Sequence, residues 1–161
     1  MQNKYKIPDD IKRTAISIVR GQQRRKAEYK MEYDDIINSS GASYETYTYV
    51  DNHNNEQQAR AFMPHSQATD SVTERKAFAL MALNSRQSTK TMNIVDEALS
   101  DIGKDILNEK LRKELSNAIY LNCLSKNKSY EHFYLPGISR NMFFKIKNKF
   151  LYELSEKLEL F

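Results

Sequence analysis

The sequence contains few of the residues that cross-link or bend a chain. It has one cysteine, four glycines and three prolines among 161 residues. Cys123 has no partner for an internal disulfide, which fits a reducing cytoplasm. So little glycine and proline argues against a turn-rich β fold, whereas Lys, Glu, Leu, Ile, Asn and Ala are plentiful. We therefore predict an all-α fold.

Long apolar runs are also missing. No stretch approaches the roughly 20 apolar residues that a membrane span needs. The first ten residues, MQNKYKIPDD, lack the apolar segment of a secretory signal. A mean hydropathy of -0.73 and 29% charged residues describe a soluble protein. We expect a cytoplasmic protein with no membrane partner.

Charge is distributed unevenly along the chain. Residues 1–30 carry a net charge of +6 and residues 31–125 carry -5. Residues 126–150 then carry +5, and the last eleven residues carry -2. Two basic segments on either side of an acidic middle indicate local anion-binding surfaces rather than a uniformly basic protein.

The N-terminal third reads as a helical arm over residues 1–38. Pro8 is suited to the first turn of a helix, and Asp9 and Asp10 favour the positive end of the helix dipole. Gly21 marks a candidate break, since glycine costs about 1 kcal/mol relative to alanine inside a helix.

The rest of the chain divides into three parts. Residues 39–70 are polar and predict a mobile linker, with Tyr44 to Tyr49 as its one plausible extended piece. Residues 71–103 predict a long helix, and residues 104–161 predict a DNA-binding module. The apolar residues of that module begin near Ile106, so we expect it to fold without residues 1–70.

The module has the pattern of a helix-turn-helix. A short helix is predicted from about Ser129 to Leu135, followed by the turn LPGIS and a longer helix. Pro136 ends the first helix, and Gly137 allows a left-handed turn. Ser139 is a suitable N-cap for the second helix.

The second helix has two different faces. Phe143, Ile146, Phe150 and Leu154 follow helical spacing and predict its buried side. No acid occurs between Ser139 and Phe150. The N-terminal part of such a helix meets DNA bases, where Arg pairs with guanine, Asn pairs with adenine and Lys contacts phosphate. The predicted DNA-binding residues are Ser139, Arg140, Asn141, Phe144, Lys145, Lys147, Asn148 and Lys149. The alternative is a basic helix that only faces solvent.

Four segments carry a family resemblance: SVTERKAFAL, NIVDEALSDI, LSNAIYLNCLSKNKSYEHFYL and GISRNMFFKIKNKFLYELSEKLEL. Together they resemble phage transcriptional regulators of the RinA and ArpU type, whose C-terminal module is similar to the fourth region of sigma factors. The resemblance spans roughly residues 70–161. It implies control of a late phage or prophage operon in a bacterial host cell, with RNA polymerase as a further partner. Met142 departs from the small polar residue frequent in these proteins, so no base preference is implied.

Other candidate sites are weaker. Arg24, Arg25 and Lys26 cannot share one helix face, so a second phosphate contact there ranks below simple exposure. The histidines and the single cysteine show no metal-ligand spacing. The chain has no phosphate-binding glycine loop and no nucleophile elbow. We predict no enzyme, no metal and no cofactor. The residues considered for a metal site are His53, His65, His132 and Cys123.

Two functions from different classes remain open. The first is a sequence-specific regulator that binds double-stranded DNA as a homodimer, with the N-terminal helices pairing subunits or binding a partner. The second is a small terminase-like packaging subunit, which binds DNA as a larger ring. A measurement of native mass separates them.

Overall fold

The computed structural model describes residues 5–39, 44–50, 56–62, 72–125 and 127–161. These residues form six α-helices, one 3-10 turn and one pair of strands. In chain order the elements are α1 (Asp9–Arg20), α2 (Gln22–Asn38), β1 (Tyr44–Val50), β2 (Glu56–Phe62), α3 (Val72–Ser85), α4 (Gln87–Asp101), α5 (Glu109–Leu124), the 3-10 turn (Tyr130–His132) and α6 (Arg140–Lys157). The predicted helical class is confirmed, with the strand pair as an addition.

The strand pair lies inside the segment predicted as a linker. β1 and β2 are antiparallel, with Tyr44 opposite Phe62 and Val50 opposite Glu56. The one extended piece predicted for residues 39–70, around Tyr47, is confirmed as β1, whereas β2 was not predicted. Tyr, Thr and Val favour extended backbone, which explains why β1 forms here. The remainder of that segment lies largely outside the described residues.

The chain forms two compact units whose limits differ from the predicted division. The first unit comprises the described residues of 1–28 and 86–161, and the second comprises those of 29–85. The first unit is therefore built from two separate stretches of sequence. The predicted helix over residues 71–103 is two helices, α3 in the second unit and α4 in the first.

The break between α3 and α4 falls at Arg86, whose φ of -63° and ψ of 145° are extended. Asn84 and Ser85 precede it, and both residue types compete with helical hydrogen bonding through their side chains. The hydroxyl of Ser85 donates to the carbonyl of Ala82 at 2.9 Å. Asn84 accepts a hydrogen bond from the hydroxyl of Tyr29 at 3.0 Å. The structure thus has two helices where periodicity predicted one.

The core of the first unit is made by α1, α4, α5 and α6. Ala15 and Val19 of α1 are fully buried in it, together with Leu115, Ile119 and Phe143. The predicted burial of Phe143 is thus confirmed. The prediction that residues 1–38 form a separate arm is wrong, because α1 supplies part of the core that the DNA-binding module was expected to build alone.

A buried glutamine fastens the start of α2 to α4. Gln22 is 1% exposed, and its side-chain amide donates to the carbonyl of Met92 at 2.7 Å and to Asp96 Oδ1 at 3.0 Å. A buried amide is costly unless it is paired, so these bonds fix the register between the two helices. This contact holds the break at Gly21 next to the core.

Candidate nucleic-acid interface

The turn before α6 has the predicted geometry. Gly137 has a φ of +81°, a left-handed conformation that favours glycine. Ile138 is buried in the core. Ser139 is the N-cap of α6, and its hydroxyl accepts a hydrogen bond from the backbone N–H of Met142 at 3.2 Å. The predicted turn and cap are confirmed.

The α-helix predicted before this turn does not form, and a shorter 3-10 turn takes its place. Only the 3-10 turn Tyr130–His132 forms where a helix from about Ser129 to Leu135 was expected. Residues three apart are eclipsed in a 3-10 turn, so the rings of Tyr130 and Phe133 share one side. Both rings pack on Phe143, with centroid distances of 5.5 Å and 6.2 Å. A regular helix-turn-helix is therefore not confirmed, although its turn and second helix are present.

The inner face of α6 is the one that the spacing predicted. Phe143, Phe150 and Leu154 are fully or almost fully buried, and Ile146 packs at the edge of the core. Because this face is anchored, the opposite face near the N-terminus of α6 is held in a fixed orientation toward solvent.

That outward face presents four of the predicted DNA-binding residues. Arg140, Asn141, Phe144 and Lys145 are all exposed. The guanidinium of Arg140 lies 5.9 Å from the centre of the Phe144 ring, a cation–π arrangement. The same guanidinium is 3.3 Å from the carboxylate of Glu131. Arginine, amide, aromatic ring and ammonium thus occupy the capped end of the helix.

Glu131 remains a carboxylate beside Arg140. A hydrogen bond from Ser129 lowers the pKa of Glu131 most strongly, followed by its own backbone N–H, and the charge of Arg140 lowers it further. The group therefore stays ionised to lower pH than an ordinary glutamate. Arg140 therefore has an anionic partner in the free protein, which sequence analysis did not anticipate.

Met142 is a surface residue, although it is not among the predicted DNA-binding residues. Its side chain is 41% exposed, on the same outward face as Lys145, three residues further along. Met142 and Ile146 also line an open cavity of about 530 Å³ beside the loop that follows α4. Helical spacing from Lys145 was the signal that could have identified Met142 as exposed.

The remaining predicted residues are less free than expected. Lys147 is half-buried and donates to Asn122 Oδ1 at 2.6 Å. Lys149 Nζ lies 3.7 Å from the carboxylate of Glu153. Asn148 is half-buried beside a small cavity of about 130 Å³. Lys147 and Lys149, both predicted phosphate contacts, thus each have an internal partner in the free protein.

The pKa of Lys147 is lowered. Burial is the largest cause, the charges of Lys12 and Arg20 lower it further, and the thiol of Cys123 acts in the opposite direction. The two other cations belong to α1. The structure thus brings the basic N-terminal segment against the basic end of α6, a convergence that charge counts along the sequence could suggest but not locate.

The basic run on α2 has internal partners. Lys26 Nζ is 2.7 Å from Asp96, and Arg24 is 3.5 Å from Glu28. The guanidinium of Arg25 donates to the carbonyl of Ile18 and to the side chain of Gln22. The weaker hypothesis of a phosphate contact in this run gains no support from the structure.

The histidines and the cysteine do not assemble into a site in the described residues. His132 Nδ1 lies 3.0 Å from the hydroxyl of Ser129, whereas His53 and His65 lie outside the described residues. Burial raises the pKa of the Cys123 thiol. Within the described ranges, no three His, Cys, Asp or Glu side chains are grouped in a way that could hold a metal ion.

No helix in the described part of the chain combines the length and the apolar character needed to cross a bilayer. In comparisons with known proteins, no family model matches this chain, and no curated protein or solved structure matches it. The chemistry of the surface around α6 therefore has to carry the argument about function.

Proposed function

We propose that this protein is a sequence-specific regulator of transcription that binds double-stranded DNA through the N-terminal end of α6. The proposal rests on one observation, which is that α6 has a buried face and an exposed polar face. The inner face is locked into the core by Phe143 and Phe150. The outer face presents Arg140, Asn141 and Lys145 to solvent. A rigid helix with exposed polar groups at its capped end suits entry into the major groove.

Each exposed group has a partner on DNA. Arg140 can bind the O6 and N7 atoms of guanine, and Asn141 can bind the N6 and N7 atoms of adenine. Met142 and Phe144 can contact the methyl group of thymine. Lys145 can bind a phosphate, and the positive end of the helix dipole adds to the attraction. The surface therefore contains groups for base reading as well as for electrostatic attraction.

The biological setting is proposed from the resemblance to phage regulators of the RinA and ArpU type. We place the protein in the cytoplasm of a bacterial host, at a late phage or prophage operon. The sigma-like character of the resembling segment makes RNA polymerase the proposed protein partner. A homodimer is proposed because two-fold proteins read paired half-sites about one helical turn apart.

A small terminase-like packaging subunit is the second candidate. The observation that favours it is an apolar surface on α3, where Phe78 is 67% exposed and Met81 is 65% exposed. Large exposed apolar side chains on one helix are typical of self-association surfaces. A native mass spectrum decides between the two functions, because a monomer or dimer supports regulation and a ring of many subunits supports packaging.

The main test is selection of bound fragments from a random duplex pool. We expect enrichment of a defined sequence by the full chain. Binding of that sequence should weaken with salt, with a slope of log K against log salt that grows by about 0.9 for each phosphate contacted. A pool that shows no enrichment and no binding at low salt would contradict the proposal.

A further inference from the structure

Two cations from distant parts of the sequence meet on the last turn of α5. Arg20 Nε of α1 donates to the carbonyl oxygen of Cys123 at 2.9 Å. Lys147 Nζ of α6 donates to Oδ1 of Asn122 at 2.6 Å. Because Asn122 and Cys123 are consecutive residues, these two hydrogen bonds place the cations side by side.

A third cation belongs to the same group. Lys12 lies two turns before Arg20 on α1, and its charge acts on Lys147 together with that of Arg20. Asn148, the neighbour of Lys147, lines a small cavity with Lys12. We name Lys12, Arg20 and Lys147 the basic triad. Among the described residues, no carboxylate forms an ion pair with any of the three.

The protein supplies little negative charge to balance the basic triad. The C-terminal end of α5 contributes the equivalent of about half an elementary negative charge. Like charges held together in a partly buried place disfavour the charged forms. Elsewhere on the surface the chain pairs its cations directly, as at Lys26 with Asp96. The basic triad brings three cations together, and a bound anion would supply the missing negative charge.

We propose that Lys12, Arg20 and Lys147 bind a phosphate group, which is a backbone phosphate of the duplex that α6 reads. The choice of a DNA phosphate rests on the proposed function. Lys147 follows Arg140 by two helical turns, or about 10 Å along the axis of α6. That distance is close to the roughly 12 Å width of the major groove, whose edges are lined by backbone phosphates. A base bound at Arg140 and a phosphate bound at the basic triad can therefore belong to one site.

The test compares Lys12→Gln with Arg13→Gln in the full chain. Both substitutions remove one positive charge from α1, but consecutive helical residues point about 100° apart. No hydrogen bond or ion pair of the Lys12 side chain is seen in the described residues, so Lys12→Gln should leave the fold intact. The probes are a duplex recovered from the random pool and, separately, inorganic phosphate.

We expect Lys12→Gln to weaken duplex binding about three- to tenfold and to reduce the salt slope by about one. Arg13→Gln should change the slope little. Arg20→Gln should resemble Lys12→Gln, and its thermal melting shows whether loss of the Cys123 contact also weakens the fold. If wild type binds the duplex and Lys12→Gln has the same affinity and slope, the basic triad does not contact DNA and the proposal is overturned while the proposed function stands.

The experiment with inorganic phosphate distinguishes the two possible sources of the ligand, a DNA phosphate and a free phosphate. At equal ionic strength, inorganic phosphate should raise the melting temperature of wild type more than chloride does, and Lys12→Gln should lose that difference. If no duplex binds but phosphate still stabilises only wild type, the proposed function fails and the basic triad takes a free phosphate instead of DNA. If phosphate and chloride act alike on wild type and no duplex binds, both proposals are overturned.

Discussion

The guanidinium of Arg140 lies 3.3 Å from the carboxylate of Glu131, across the turn that contains Pro136 and Gly137. Glu131 is the one acid among residues 126–150. The first residue of α6 is therefore held in the free protein by the carboxylate of the preceding 3-10 turn. In the proposed complex with DNA, a base or a phosphate would have to replace this partner.

Glu131→Gln should strengthen duplex binding, because it removes the competitor for Arg140 and a negative charge near the phosphates. The pair is exposed, so we expect a gain of less than about fivefold. Fluorescence anisotropy with the selected duplex measures it. Glu114→Gln is the matched control, since Glu114 pairs with Lys110 on the surface of α5. Unchanged or weaker binding by Glu131→Gln would show that Arg140 does not exchange partners.

Arg140→Ala and Lys145→Ala should affect DNA binding in different ways. Arg140→Ala should cost about 1–3 kcal/mol on the selected duplex and relax the preference at one base position. Lys145→Ala should weaken binding to every duplex alike and reduce the salt slope by about one. Both are measured against the selected duplex and a scrambled one. Equal losses on both duplexes for both variants would mean that α6 attracts DNA without reading it.

The lowered pKa of Lys147 predicts a rise in stability at alkaline pH. The charged form is disfavoured in the folded state by burial and by Lys12 and Arg20, with the Cys123 thiol acting against them. Between the lowered pKa and the ordinary value of 10.5, the unfolded chain binds more protons. The free energy of unfolding therefore increases with pH through that window and is lowest below it.

Urea unfolding of wild type and of Lys147→Met, measured between pH 7 and pH 10.5, tests this prediction. The variant should lack the alkaline rise that Lys147 contributes, while the contributions of Cys123 and the tyrosines remain in both proteins. Parallel curves for wild type and Lys147→Met would contradict the prediction.

Cys123 should be unreactive in the native protein. Its side chain is 1% exposed, and burial raises the pKa of its thiol, so little of the reactive thiolate is present at neutral pH. Labelling with a thiol reagent should be slow in buffer and fast in concentrated urea. Rapid native labelling would show that the end of α5 opens readily.

Removal of residues 1–28 should unfold the first unit, because α1 contributes Ala15 and Val19 to its core. The milder Val19→Ala should cost roughly 1–3 kcal/mol of stability. Circular dichroism with urea titration measures both. Replacement of residues 29–85 by a long Gly/Ser linker is the control, and we expect that variant to fold. Cooperative unfolding of the protein that lacks residues 1–28 would show that α1 is dispensable.

Local features of the fold were predictable from sequence because short-range physics decides them. The Ser139 cap, the left-handed Gly137 and the buried Phe143 each follow from residue type and spacing. The membership of α1 in the core was not predictable, because Val19 and Leu154 are brought together only by tertiary packing. Periodicity likewise continued across Arg86, where the structure has an extended residue between two helices.

The candidate site was likewise predictable only in part. The exposed positions Arg140, Asn141 and Lys145 follow from the helical repeat of α6. Lys12 and Arg20 could not be assigned to this surface, since only the packing of α1 against α5 and α6 brings them to Lys147. The pairing of Arg140 with Glu131 was not predictable either. It depends on the short 3-10 turn, whereas the sequence predicted a longer helix at that place.

The discontinuous first unit also sets the order of events during synthesis. α1 precedes α6 in the chain by more than a hundred residues, yet the core cluster that contains Val19 also contains Leu154, near the end of α6. At about 5–20 residues per second, α1 waits on the order of ten seconds for that partner. Its apolar stripe is exposed on the nascent chain during this interval, where chaperones or proteases can reach it. Contacts so distant in sequence also slow folding. α1 therefore cannot reach its native packing until α6 has left the ribosome.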